Sequence, residues 1–204
     1  MMRRILFWAA LLPLAVRAAD YRLTSPDGNI VLDIACGDRL MYRVEAEGEA
    51  VIATSPLAMN FDDGREWGVN PKVAKAVYAE ADDSIPSPFY RRSSVRDHYR
   101  ELTLTFRDGY GVVFRAYDDG IAYRFLSLEK RSGIVVDELV QFNFAEDHPA
   151  FVPYVRDQEG AEKSFVQQFN NSFENVYACS PLSELDSCRL IFLPLAVRLP
   201  SGRA

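Results

Sequence analysis

The sequence predicts an all-β, mainly antiparallel fold, and two observations carry that prediction. Leu102, Leu104 and Phe106 alternate with Thr103, Thr105 and Arg107, the period of two that places apolar side chains on one face of a strand. Asp108-Gly109 and Asp119-Gly120 follow, where hairpin turns call for residues that accept positive φ. Residues 101–128 therefore read as a three-stranded meander. The second observation is the recurrence of short strand patterns with turn signals about every 8 to 12 residues, the spacing of a β-sandwich or barrel.

The elements follow in order. Residues 29–34 form an alternating strand after the turn Ser25-Pro26-Asp27-Gly28, residues 40–44 another after Gly37-Asp38, and residues 49–52 a third beyond Gly48. Between residues 62 and 88 the composition shifts to loop formers, among them Asp62-Asp63-Gly64, Asn70-Pro71, Asp82-Asp83 and Pro86-Ser87-Pro88, with only residues 73–78 strand-like. After the meander, residues 134–142 are a further extended segment. Residues 145–160, with Pro149 and Pro153, read as a long connection, and residues 162–166 as a helical turn. Residues 189–199 read as a well-buried strand, followed by the turn signal Pro200-Ser201-Gly202. A hairpin turn so close to Ala204 promises a strand that the sequence does not supply, and this suggests a piece of something longer.

A net charge of −6 with scattered basic residues argues against a nucleic-acid partner. At the N-terminus, Arg3 and Arg4 precede an apolar run over residues 5–14 and small residues around Ala18-Ala19. This is the pattern of a signal peptide over residues 1–19, cleaved to leave a mature domain over residues 20–204. The run is too short to span a bilayer, and no later segment is long and apolar enough, so no membrane partner is expected. Export permits disulfides, yet a chain of this size builds enough core without them, and Cys36, Cys179 and Cys188 are read as buried or unpaired.

Val95-Arg96-Asp97-His98-Tyr99 with Glu101-Leu102, and Phe114-Arg115-Ala116-Tyr117-Asp118-Asp119-Gly120-Ile121-Ala122-Tyr123-Arg124-Phe125, are joined by Ser25-Pro26-Asp27-Gly28, Ser55-Pro56-Leu57 and Phe173-Glu174-Asn175-Val176-Tyr177. In this order they resemble the N-terminal domain of glycoside hydrolase family 97, from about residue 21 to residue 199. The resemblance implies a β-super-sandwich of the galactose-mutarotase-like type that packs on a catalytic (β/α)8 barrel. It further implies calcium-dependent, exo-acting α-glucosidases or α-galactosidases exported by bacteria to the periplasm or beyond, acting on α-linked glycans. Their catalytic carboxylates lie on the barrel, so the resemblance assigns no catalytic acid, base or nucleophile to this chain. It does imply one metal ligand here, Glu174, for a calcium ion whose other oxygens come from the barrel. The alternative reading is a free-standing carbohydrate-binding β-sandwich without catalytic activity.

Other polar groups have plainer readings. Arg96, Asp97 and His98 could bind sugar, but such a run more often makes a structural ion pair and a satisfied histidine. Asp62-Asp63-Gly64 and Asp118-Asp119-Gly120 lack the alternating oxygen ligands of a twelve-residue calcium loop and read as turns. Trp67, Tyr90 and Tyr99 could stack on a sugar ring, although aromatics in a sandwich usually serve the core. His98 and His148 have no zinc-like spacing, and no nucleophile-elbow motif is present.

Overall fold

A computed structural model describes residues 20–89, 91–155, 168–169 and 175–202. One sheet contains β1 (Tyr21–Thr24), β2 (Ile30–Cys36), β3 (Leu40–Ala46), β4 (Glu49–Phe61) and β10 (Val135–Val140), in that spatial order, with β5 (Glu66–Trp67) also paired to β4. The second is the four-stranded meander β6 (Val73–Pro86), β7 (Ser94–Phe106), β8 (Tyr110–Tyr117) and β9 (Gly120–Ser127). All their ladders are antiparallel. A satellite sheet, β12-β11-β13, is built from β11 (Pro149–Val152), β12 (Ala178–Pro181) and β13 (Ala196–Val197), and a 3-10 turn occupies Leu182–Glu184.

The alternating residues explain why the two large sheets close on each other. Leu102, Leu104 and Phe106 of β7 and Val112, Phe114 and Ala116 of β8 are buried in one cluster with Leu32, Ile34, Leu40, Tyr42 and Leu57 of the facing sheet. Removing each large side chain from water contributes roughly 1.5–3 kcal/mol, which makes this interface the main source of stability. The all-β sandwich expected from the sequence is therefore the fold.

Its aromatic centre is Tyr110, stacked on Trp67 at 5.1 Å and on Phe106 at 4.6 Å between ring centroids. The Tyr110 hydroxyl accepts a 3.0 Å hydrogen bond from the Gly68 N–H. Gly68 has φ +91°, and a Cβ there would lie 2.2 Å from the Leu57 carbonyl oxygen. Only glycine satisfies both demands.

Several expectations are corrected. The segment read as loop over residues 62–88 contains the 14-residue strand Val73–Pro86. Asp82 and Asp83 pair there with His98 and Asp97 of β7, because an exposed edge strand tolerates acidic side chains that a central strand would reject. The connection over residues 145–160 contains β11, whose Ala150 and Val152 are fully buried. The continuous buried strand expected over residues 189–199 is not formed. Pro194 has no N–H to give to a ladder, Leu193 is 82% exposed, and only Ala196–Val197 pairs with β11. The second Asp-Gly turn also differs: Tyr117 pairs directly with Gly120. Gly120 belongs to the strand, the turn residues are Asp118 and Asp119, and positive φ is needed only at Gly109, at +77°.

Residues 1–19 and the helical turn expected over residues 162–166 lie outside the described residues. Among the described residues no disulfide joins Cys36, Cys179 and Cys188; Cys36 is half-buried and the other two are exposed. No helix among them is long and apolar enough to cross a membrane.

Candidate functional site

The polar residues that the sequence singled out separate into two groups, because alternate positions of β7 face opposite sides of the sheet. The first joins the sheets at one end. In the Ser25-Pro26-Asp27-Gly28 turn, the buried Ser25 hydroxyl donates to Asp27 Oδ1 at 2.5 Å and accepts from the Ile30 N–H at 2.9 Å. The bond from Ser25, with one from the Asn29 N–H, holds the Asp27 carboxyl below its usual range. The Asp27 N–H in turn donates to Asp118 Oδ1 at 2.9 Å, tying this turn to the β8-β9 turn of the other sheet. Arg100 adds a second tie through the Ser25 carbonyl at 3.1 Å and the Thr24 hydroxyl at 3.0 Å.

Arg96 binds Asp82 with two 2.7 Å hydrogen bonds, and these hold the Asp82 carboxyl below its usual range. This is the structural ion pair that the sequence favoured. His98 differs from its expectation. It lies 3.8 Å from both Glu80 and Asp118, and its buried Nδ1 has no hydrogen-bond partner among the described residues.

The second group lies on the outer face of the meander. Arg115 donates to Glu101 Oε2 at 2.7 Å, and its guanidinium lies 3.9 Å from the centre of the Tyr99 ring. Burial opposes the charge on Arg115, but bonds to Tyr117 and Glu101 raise its pKa overall. The Tyr117 hydroxyl donates to Asp97 at 3.3 Å, and the Tyr99 and Tyr117 rings lie 5.3 Å apart. Beside them is an open cleft of about 160 Å³, lined by Val113, Arg115, Tyr117, Ala122, Tyr123 and Arg124. Small Val113 and Ala122 leave the depression, and long polar side chains rim it. Arg115 and Tyr117 were quoted only as part of a motif; their period-two spacing with Val113 on β8 was the signal that they share a face.

Glu174 lies outside the described residues, as does Tyr90. Asn175, next to Glu174, donates from Nδ2 to the Tyr154 carbonyl at 3.4 Å, just past the end of β11. Two carboxylates in that region are engaged: Asp147 accepts from the Ser183 N–H and hydroxyl, and Asp186 from the Cys188 N–H. Trp67 is a core residue and Tyr99 is covered on one face by Arg115. Both Asp-Asp-Gly segments are turns, the first closed by ion pairs from Asp63 to Arg65 and Arg131. His148 is buried edge-on against Phe144.

The chain is 44% identical over 183 residues to the retaining alpha-galactosidase of Bacteroides thetaiotaomicron, covering 90% of this chain and 27% of that enzyme. It thus spans about a quarter of the curated relative's length. A glycoside hydrolase family 97 enzyme from Pseudoalteromonas sp. strain K8, solved with acarbose, superposes with a TM-score of 0.70 at 24% identity, over 89% of this chain and 27% of that one. A β-arabinopyranosidase structure superposes with a TM-score of 0.61 at 25% identity, over 70% of this chain and 24% of that one. The family model described as Glycosyl-hydrolase 97 N-terminal matches residues 23–204. The two-sheet sandwich, with its Asp27–Asp118 tie and its outer arginine cluster, therefore belongs to the N-terminal domain family of the family 97 glycoside hydrolases.

Proposed function

We propose that this domain is the non-catalytic N-terminal part of an exported α-glycosidase, an α-glucosidase or α-galactosidase that hydrolyses α-linked glycans. It packs on a catalytic (β/α)8 barrel, where the two carboxylates that cleave the glycosidic bond reside. The observation that supports this reading is the 44% identity covering nearly all of this chain but only 27% of a retaining alpha-galactosidase. Residues 1–19 direct export to the periplasm or medium and are then removed.

Calcium enters the proposal with a limit. A calcium ion takes six to eight oxygen ligands, and among the described residues no three His, Cys, Asp or Glu side chains gather to hold a metal. Those residues do not fit a calcium site by themselves. Glu174 is proposed as one ligand, the rest coming from the barrel.

The test is co-expression of this chain with the remainder of the Bacteroides enzyme. Recovery of p-nitrophenyl α-galactoside hydrolysis that EDTA abolishes is expected, with this chain alone inactive and Glu174→Gln lowering the calcium affinity of the pair. Nitrophenol release by this chain alone would overturn the reading. The outer cleft favours a second one, a carbohydrate-binding module, since it combines an apolar floor with tyrosine and arginine rims. Saturable binding on a glycan array, lost in Tyr117→Ala, would select it.

A further inference from the structure

The arginines on the strands of the two large sheets follow one rule, which is that a carboxylate answers each guanidinium. Arg22 is bound to Asp33, Arg43 to Glu45, Arg96 to Asp82, Arg100 to Glu80 and Arg115 to Glu101. Arg124 of β9 breaks the rule: it is exposed and takes part in no ion pair or side-chain hydrogen bond among the described residues. Its ladder gives the reason. Arg124 pairs with Val113, which is flanked on the same face of β8 by Gly111 and Arg115, and its neighbours on that face of β9 are Ala122 and Leu126. None of these is acidic.

The unanswered guanidinium lines the outer cleft together with Arg115. Arg115 pairs with Ala122, so the two arginines are diagonal neighbours on adjacent strands, close enough for long side chains to serve one ligand. They contribute differently. Arg115 is held in place by Glu101 and the Tyr99 ring, and Glu101 neutralises its charge. Arg124 therefore leaves the cleft with one uncompensated positive charge. Beneath it, Val113 is only 4% exposed although its register turns it outward, which makes the floor apolar and shielded. A charge-assisted hydrogen bond at such a rim is stronger than one in open water.

We infer that the outer cleft binds an acidic sugar, whose single carboxylate is taken by Arg124 beside Arg115. A monoanion matches the one uncompensated charge, and the planar guanidinium fork matches a carboxylate. A neutral sugar would leave that charge unanswered. The C–H face of the sugar ring rests on Val113 and Ala122, with the Tyr117 side chain as a wall. At about 160 Å³ the cleft is smaller than the roughly 300 Å³ at which drug-sized pockets begin, so one ring enters and the rest of the glycan leaves by the open side. The inference rests on the reading that this cleft takes carbohydrate, and it adds the class of sugar.

Trigalacturonate titrated into the full chain tests this, read by amide chemical shifts, with its methyl ester, maltotriose and sulfated galactose as comparison probes. Shifts confined to β8 and β9 are expected, with trigalacturonate bound at least tenfold more tightly than the other probes and less tightly as salt rises. Arg124→Gln lowers that affinity at least tenfold. Ala122→Phe, which fills the cleft and keeps both charges, abolishes binding, while Arg22→Gln on the other sheet leaves it unchanged; melting curves establish that all three variants are folded. Equal affinity for the methyl ester overturns the acidic sugar and leaves the carbohydrate reading of the cleft standing, whereas no binding of any probe sinks both. Tighter binding of sulfated galactose, or shifts spread over β6 and the facing sheet, also overturns the inference. So does loss of trigalacturonate binding when the chain is co-expressed with the remainder of the Bacteroides enzyme, since the enzyme then covers the cleft. Galactoside hydrolysis by that pair judges the proposed α-glycosidase function independently of every titration.

Discussion

β8 and β10 are both short, valine-rich strands, and the difference between them lies in what faces them. In β8, Val112, Val113 and Phe114 are buried against the facing sheet and the side chains that cover its outer surface. In β10, Val135, Val136 and Val140 are exposed, because the opposing sheet stops at β9. Strand formation needs only a ladder partner, which β4 supplies to β10. Burial needs a second layer. The comparison teaches that burial is distributed by which strands the facing sheet covers, with β7 and β8 in the core and the valines of β10 left exposed.

The strongest way to break the comparison is to truncate one apolar side chain in each strand. Phe114→Ala should cost about 3–5 kcal/mol by leaving a cavity in the core, whereas Val140→Ala should cost less than about 0.5 kcal/mol. Urea denaturation read by tyrosine fluorescence measures both, and equal losses would mean that β10 is covered in solution. A smaller effect separates two glycines. Gly28→Ala, at φ +80° in open space, should cost about 1–2 kcal/mol from backbone strain. Gly68→Ala must exceed it, because its Cβ also meets the Leu57 carbonyl at 2.2 Å.

The smallest effect is one of pH. Hydrogen bonds from Arg65 hold the exposed Asp63 carboxyl at about 2, below its ordinary 3.8. A carboxylate with a depressed folded-state pKa stabilises above its unfolded pKa and loses that contribution as pH falls through the folded one. Wild-type thermal midpoints should therefore decline between about pH 4 and pH 2, and Asp63→Asn should flatten the decline in that window alone. Identical acid slopes would assign the decline to other carboxylates, such as Asp27 and Asp82.

Much of the fold was legible because alternation and turn chemistry are local. Leu102, Leu104 and Phe106 announced a strand, and Asp108-Gly109 its turn. What escaped depended on distant partners. Asp82 and Asp83 looked like loop residues until β7 gave them a ladder, and Pro149 concealed the start of a buried strand. Residues 189–199 failed in the opposite sense, since hydrophobicity could not compensate for the N–H that Pro194 lacks. The polar clusters were harder still. Asp118 and Asp27 are 91 positions apart and meet only when the sheets close, and Arg115 acquires its role only when β7 brings Glu101 and Tyr99 beside it.

The sequence by itself determined the class of fold and the family, because side-chain period, turn residues and motif order are properties of the chain. The tertiary structure decided the register of β6, the tie between the two turns, the outer cleft and the offset that leaves β10 uncovered. The tie and the offset depend on how far one sheet slides over the other, whereas the register of β6 and the outer cleft depend on which strands pair within the meander. That slide is fixed by the packing of Phe114, Tyr110 and Trp67 against their neighbours, through contacts that no local pattern encodes.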